Sequence, residues 1–274
     1  NCAINKRSIT IGDGRLYYQS YGNGEHIVIL LHGLVGGSWL NEEWIYAIQM
    51  GNVRCIVPER PGYGNSSPLP FTCVGDWMPV AQRFCEALGV RTADVIGCSA
   101  GGPYAYATAL ALPDTINKVY VLGGVPAVYN SEVLRHYSEE NQTAYKSFLE
   151  NSQQAVQNYY MEQMKAARRR MEEAGAGHIK IMLDEVIAQR CFGMAQESRL
   201  QIRPWEVEFS NIKQPIVLYH AKGDEMVPFA AAQEMAALLP RCEFHEMGDA
   251  DFPAGQSVHM SAISKAFCRI ISEY

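Results

Sequence analysis

The sequence predicts an α/β protein: a mostly parallel, twisted sheet flanked by helices, with an all-helical insertion. Three observations predict it. Short, nearly continuous apolar runs recur along the chain, as strands buried on both faces require. Segments with apolar residues at helical spacing fall between them, and strand–helix alternation calls for a parallel sheet covered on both sides. From about 129 to 205 the strand runs stop and polar, Met- and Tyr-containing helical patterns take over. The predicted organisation is therefore a core made of 1–128 and 206–274, with a helical cap at 129–205 over one end of the sheet.

Taken in order, RSITI (7–11) and RLYYQSYG (15–22) alternate like a hairpin joined by Gly12-Asp13-Gly14. HIVILL (26–31), VRCIV (53–57), ADVIGC (93–98), KVYVLGG (118–124) and PIVLYH (215–220) read as buried strands, and CEFHEM (242–247) as a weaker sixth. In 77–88, Trp77, Val80, Ala81, Phe84 and Leu88 make one apolar helix face. Residues 100–111, 228–239 and 257–272 also read as helices. Within the cap, Tyr160, Met164, Ala167 and Met171 share a face until AGAG (174–177) stops the helix. Ile179, Leu183, Val186 and Ile187 mark another face. Such faces read first as packed core, with part of the cap's underside turned to the pocket.

Composition narrows the function classes. The 274 residues carry a net charge of −6 with acids and bases interspersed, so no basic stripe points to nucleic acid. The one basic run, Arg168–Arg170, sits on a helical pattern and reads as a solvated face. No apolar run approaches membrane-spanning length. The eight cysteines show no CxxC pair or metal-ligand rhythm, and Cys55 and Cys98 fall in strand runs, so they read as reduced thiols of a cytoplasmic protein. The chain opens at Asn1 with no signal-peptide pattern, and a trimmed leader stays open. Asn65 and Asn141 match the short glycosylation pattern, a weak signal.

Four motifs carry chemistry. Gly97-Cys98-Ser99-Ala100-Gly101 stands between a buried strand and a helix, where a sharp turn would hold Ser99 above the sheet edge. The alternative is an ordinary N-cap serine, which the flanking Gly97, Gly101 and Gly102 make the lesser reading. His32-Gly33-Leu34-Val35-Gly36-Gly37 follows HIVILL and can turn backbone N–H groups toward a developing oxyanion. His32 itself reads as structural. Glu59-Arg60-Pro61-Gly62-Tyr63-Gly64 is a tight turn after VRCIV. Gly223-Asp224-Glu225-Met226-Val227-Pro228 puts Asp224 just past a strand end, where it could orient an imidazole, with Glu225 the rival carboxylate.

Together, in order and spacing, these motifs resemble the α/β-hydrolase family of serine hydrolases with a helical cap, from about residue 8 to the end. The resemblance implies Ser99 as nucleophile, Asp224 as acid, and the Leu34 and Ala100 N–H groups as oxyanion hole. It implies no cofactor and no metal. It also implies a histidine soon after the last strand, and there the chain departs from the pattern. The loop reads Gly248-Asp249-Ala250-Asp251-Phe252, with Asp251 in the histidine's place. Only His259, eight residues later and near the start of the final helix, follows that strand.

The difference is chemical. Imidazole titrates near working pH, whereas a carboxylate with a pKa of about 3.9 is a poor base for a serine hydroxyl. Three explanations stand: a displaced His259, a changed or lost reaction at Asp251, or an introduced substitution. The expected function is hydrolysis of a small ester, thioester, lactone or C–C bond next to a carbonyl, through Ser99. A cofactor-free lyase, cyclase or isomerase, or a ligand-binding relative of impaired activity, is the alternative. The expected partner is a small carbonyl compound, with neither nucleic acid nor membrane, and a homodimer left open.

Overall fold

A computed structural model of the chain describes residues 6–174, 177–248 and 252–274. Its sheet has eight strands in the order β1-β2-β4-β3-β5-β6-β7-β8. β1 (Arg7–Ile11) and β2 (Gly14–Tyr21) form the predicted hairpin, with Gly12 in the left-handed region at φ 55°. β2 meets β4 (Val53–Pro58) antiparallel; β3 (His26–Leu31), β5 (Ala93–Cys98), β6 (Ile116–Leu122), β7 (Ile216–Ala221) and β8 (Cys242–Met247) continue in parallel.

The apolar runs are continuous because successive residues serve opposite faces. Ile29, Leu31 and Val95 join one core with Trp77, Phe84, Tyr104 and Trp205. Val28, Leu30 and Ile96 join another with Ile48, Ile263, Phe267 and Ile270. Helices α2 (Trp77–Leu88) and α3 (Gly102–Ala111) supply the first face. Helices α1 (Glu42–Met50) and α10 (Val258–Ser272) supply the second, where the Trp44 and Phe267 rings stack at 4.0 Å between centroids. β8, at the edge, buries none of its residues fully, which accounts for its weaker sequence signal.

Helix α1 was not anticipated. Asn41 caps it by accepting from the Trp44 N–H at 2.8 Å, and Glu42 and Glu43 fill its first turn. Its outer face leaves Tyr46 and Met50 largely exposed, so apolar residues lie all round and the periodicity is blurred.

Between β6 and β7 the described residues form only helices and turns: α4 (Ser131–Leu134), α5 (Glu139–Glu150), α6 (Gln153–Ala174), α7 (Gly177–Ala188) and α8 (Phe192–Gln201). Tyr160 and Met164 of α6 pack with Leu183 and Val186 of α7 in a separate apolar cluster, with Ala167, Met171, Ile179 and Ile187 against it. Arg168 does not point freely to water. Its Nε donates to Asp184 Oδ1 at 2.6 Å, tying α6 to α7, while Arg169 and Arg170 are exposed.

Two buried ion clusters fasten these helices to the sheet. Arg60 pairs with Glu197 of α8 at 2.6 Å. Lys6, at the foot of β1, pairs with Glu59 at 2.7 Å and also with Glu185 of α7, which accepts from the Trp39 indole N–H. The helix after β7, α9 (Phe229–Leu238), completes the cover beside β8.

Candidate active site

Ser99 stands on a single helical turn, Ser99–Gly101, between β5 and α3. Its φ is +50°, a left-handed conformation that costs a residue with a β-carbon free energy and is kept only where surrounding structure imposes it. The glycines beside it make the bend possible. A Cβ on Gly97 would sit 2.7 Å from the Gly101 carbonyl oxygen, and one on Gly101 would sit 2.2 Å from that of Leu31. The hydroxyl is half-buried in a 420 Å³ cavity walled by Trp39, Trp44, Met182 and Ile263.

The imidazole that reaches Ser99 belongs to His259, the second residue of α10. Its Nε2 lies 3.0 Å from Ser99 Oγ and its Nδ1 lies 2.6 Å from Asp224 Oδ2. The ring is 1% exposed. Asp224 Oδ1 accepts from the Met226 and Val227 N–H groups at 2.9 and 2.8 Å. Burial pushes the Asp224 carboxyl upward, but the hydrogen bond from His259, the Val227 N–H and the neighbouring His220 ring outweigh it and hold it below its ordinary value. An ionised carboxylate can only accept, so Nδ1 carries a proton and Nε2 is the ring nitrogen turned to the serine hydroxyl. Asp251 lies outside the described residues.

Two residues that prepare this arrangement were not foreseen in those roles. Gly123, just past β6 with φ 54°, leaves space for the ring: a Cβ there would sit 3.0 Å from His259 Cε1. Glu225, read from sequence as a rival to Asp224, instead holds the start of α10. Its carboxylate accepts from the Ser257 hydroxyl and, at 3.1 Å, from the His259 N–H. Burial raises the Glu225 carboxyl, yet these bonds, Ser257's foremost, leave it net lowered. Glu225→Ala is therefore expected to lower kcat on an ester substrate by about tenfold to a hundredfold, the cost of a slightly misplaced His259 ring beside Ser99. Glu225→Gln, which keeps an acceptor, should recover most of it; equal losses in steady-state kinetics would refute this role.

The loop after β3 runs beside the serine, with Gly33 so close that a Cβ would sit 3.8 Å from Ser99 Cβ. Both His32 nitrogens are engaged: Nδ1 donates to the Gly33 carbonyl at 2.8 Å and Nε2 accepts the Arg60 N–H at 3.2 Å. Burial, then the Arg60 charge, push His32 well below its usual pKa, so the ring is neutral. The Arg60 guanidinium also donates to the carbonyls of His32 at 2.5 Å and Gly33 at 3.4 Å. In a trans peptide the carbonyl and the following N–H point oppositely, so fixing the Gly33 oxygen aims the Leu34 N–H away from Arg60. Leu34 lines the cavity that holds Ser99. Ala100 N–H, in the first turn behind Ser99, has no upstream intrahelical carbonyl to take it.

Buried neutral histidines have a consequence for stability. His220, beside Asp224 at 3.4 Å and donating to the Val227 carbonyl, is pushed down chiefly by burial. Where the folded pKa is depressed, the unfolded chain binds more protons below pH ~6.5. Stability is thus full above that value and declines as pH falls toward the folded pKa. The Tm is expected to decrease from pH 7 to pH 5, and less steeply in His220→Gln; a flat profile in thermal melts would contradict it.

Among the described residues no group of three His, Cys, Asp or Glu is placed to hold a metal, no helix is long and apolar enough to cross a membrane, and Cys55, Cys73, Cys85, Cys98, Cys191, Cys242 and Cys268 are free thiols.

A mostly parallel sheet with a strand–turn–helix bend at Ser99 defines a class of folds, and sequence comparison identifies the family. The pattern of the α/β-hydrolase-fold family matches residues 26–255, and the chain belongs to that family. It is an enzyme of the α/β-hydrolase type. The chain is 25% identical to a 2-hydroxy-6-oxononadienedioate/2-hydroxy-6-oxononatrienedioate hydrolase of Paraburkholderia phymatum, over 85% of this chain and 83% of the other. A protein of the same name from Burkholderia vietnamiensis is 30% identical over 44% of this chain and 45% of its own length. Among solved structures, the enol-lactonase from Burkholderia xenovorans LB400 superposes with a TM-score of 0.65 at 17% identity, over 97% of this chain and 98% of that one.

Proposed function

We propose that the protein is a serine hydrolase of small carbonyl compounds (an ester, thioester, lactone or C–C bond next to a carbonyl), with Ser99 as nucleophile, His259 as base and Asp224 as the acid that orients it. One observation carries this reading: the hydrogen-bonded chain from Asp224 Oδ2 through His259 to Ser99 Oγ, at 2.6 and 3.0 Å. Residues 129–205 serve as a cap over the core made of 1–128 and 206–274. Asp251 is not the base in this reading, and the altered triad is one in which the imidazole arrives from the final helix.

The chemistry follows from the geometry. Ser99 Oγ adds to the carbonyl carbon as its proton passes to His259 Nε2. The carbonyl π pair moves to oxygen, where the Leu34 and Ala100 N–H groups receive the charge. The tetrahedral intermediate collapses, the leaving group departs with the proton from Nε2, and an acyl-enzyme remains. Water, deprotonated by His259, then releases the acid and restores Ser99. The relatives named as hydrolases support a hydrolytic outcome.

A fluorophosphonate probe is expected to label Ser99 in the wild type and not in Ser99→Ala, with turnover of a nitrophenyl ester lost in parallel. Folded wild-type protein that neither takes the label nor turns over the ester would reject the proposal.

A further inference from the structure

The polar groups in the walls of the serine cavity, Ser99 and His259 apart, are mostly spent on the protein itself. The Trp39 indole N–H donates to Glu185 of α7, and the Trp44 indole N–H donates to Ser264 Oγ at 3.1 Å. Asn41 Oδ1 accepts the Trp44 backbone N–H at 2.8 Å, and both His32 nitrogens are held within the loop after β3. His178, on the cap side, is kept below the usual imidazole range by burial, so it supplies no charge at neutral pH. What these walls offer a substrate is apolar surface, from Leu40, Trp44, Ile179, Met182 and Ile263.

Cations are missing from those walls too. No Lys or Arg lines the cavity among the described residues, and residues 1–5, 175–176 and 249–251 contain none. Lys6, 5.6 Å from the Trp39 ring centroid, is committed to Glu59 and Glu185. Arg60 is committed to Glu197 and to the His32 and Gly33 carbonyls. The cap-side wall is held in place. Met182 stands against Gly37, where a Cβ would sit 3.6 Å from Met182 Cγ. Three residues on, Glu185 binds α7 to Lys6 and Trp39, and Arg168 ties Asp184 to α6 at 2.6 Å. The enclosed 420 Å³ admits on the order of a dozen non-hydrogen atoms at about 30 Å³ each, enough for an acyl group of about eight to ten carbons.

We infer that the serine cavity is an acyl subsite for neutral, medium-chain acyl groups, with Met182 of α7 as the wall that limits the length of the arm. This rests on the hydrolase reading above. The arm is the acyl one because it stays joined to Ser99, inside this cavity, between the two half-reactions while the leaving group departs. An arm ending in a carboxylate would meet no cation there, and burying an unpaired charge costs far more than burying a methyl group. The subsite therefore separates this chain from the relatives whose names specify dioates.

Four nitrophenyl esters, assayed at about pH 8, test it: the butanoate, the octanoate, the dodecanoate and the hydrogen octanedioate, whose eight-carbon arm ends in a carboxylate. Each buried methylene is worth roughly a factor of three, so the wild type is expected to favour the octanoate over the butanoate by about a hundredfold in kcat/KM. The dodecanoate, too long for the cavity, should fall about tenfold below the octanoate, and the hydrogen octanedioate about a hundredfold below it. In Met182→Ala, which leaves Glu185 and its partners in place, the dodecanoate should equal or exceed the octanoate. Each ratio is read within one protein, with fluorophosphonate titration giving the active fraction, so partial misfolding does not imitate the effect. An octanoate preference under tenfold, a carboxylate penalty under tenfold, or a dodecanoate-to-octanoate ratio unchanged in Met182→Ala overturns the subsite while leaving the hydrolase intact. Absence of labelling together with no turnover of any of the four esters overturns the hydrolase reading and the subsite with it.

Discussion

His259→Gln is expected to reduce kcat/KM on a nitrophenyl ester by about 10⁴-fold or more, the usual loss when a triad member is removed. Glutamine can still donate to Asp224, so the buried carboxylate keeps a partner and the fold survives, but an amide cannot take the serine proton. The companion variant is Asp251→His, which restores the histidine at the loop position. Because the His259 ring already lies 3.0 Å from Ser99 Oγ and is fixed by Asp224, that change is expected to alter the rate by less than about threefold. The two results together locate the base. A large gain in Asp251→His, or a His259→Gln enzyme within tenfold of the wild type, would remove His259 from the mechanism.

The second large effect is on stability. Arg60 is fully buried, and its guanidinium meets Glu197 through two bonds, at 2.6 and 2.9 Å. The Tyr63 hydroxyl donates to the same carboxylate at 2.9 Å, and the Arg60 guanidinium lies 4.9 Å from the Tyr104 ring centroid. Removing one partner strands the other charge in the interior, which costs about 3–5 kcal/mol. Arg60→Met and Glu197→Leu should therefore each lower the Tm by on the order of 10 °C. The double variant should lose much less than the two singles combined, since no unpaired charge remains. Additive losses in melting experiments would show that the two side chains do not act as a pair. Arg60→Met should also slow catalysis, because the carbonyls of His32 and Gly33 lose the donor that fixes the loop.

Local chemistry made much of the sheet legible. The boundaries of β3 and β8 follow the predicted runs; β3 was plain because a strand closed in on both faces is apolar nearly throughout, while β8, at the edge, gave the weaker signal. The helix over Trp77–Leu88 was equally plain, since its water-facing side is polar and its periodicity clean. α1 was hidden because exposed Tyr46 and Met50 break the contrast between its faces. Ser99 and Asp224 were readable from glycine spacing and from position at strand ends. His259 could be named but not placed, because the distance from β8 to Ser99 depends on how a loop folds back. Glu225 and Gly123 left almost no signal: one carboxylate beside another, and one glycine after a strand.

Residue order alone determined which strands are buried, where the sharp serine turn falls, and which few side chains could perform acyl chemistry, because these depend on neighbours within a few positions. Tertiary structure decided which histidine faces the serine and which acid orients it. It also decided what Arg60 and Glu225 hold in place. Those outcomes depend on contacts between residues far apart in the chain, such as Ser99 with His259 and Arg60 with Glu197, where packing and loss of water set the energies and sequence spacing carries no record of them.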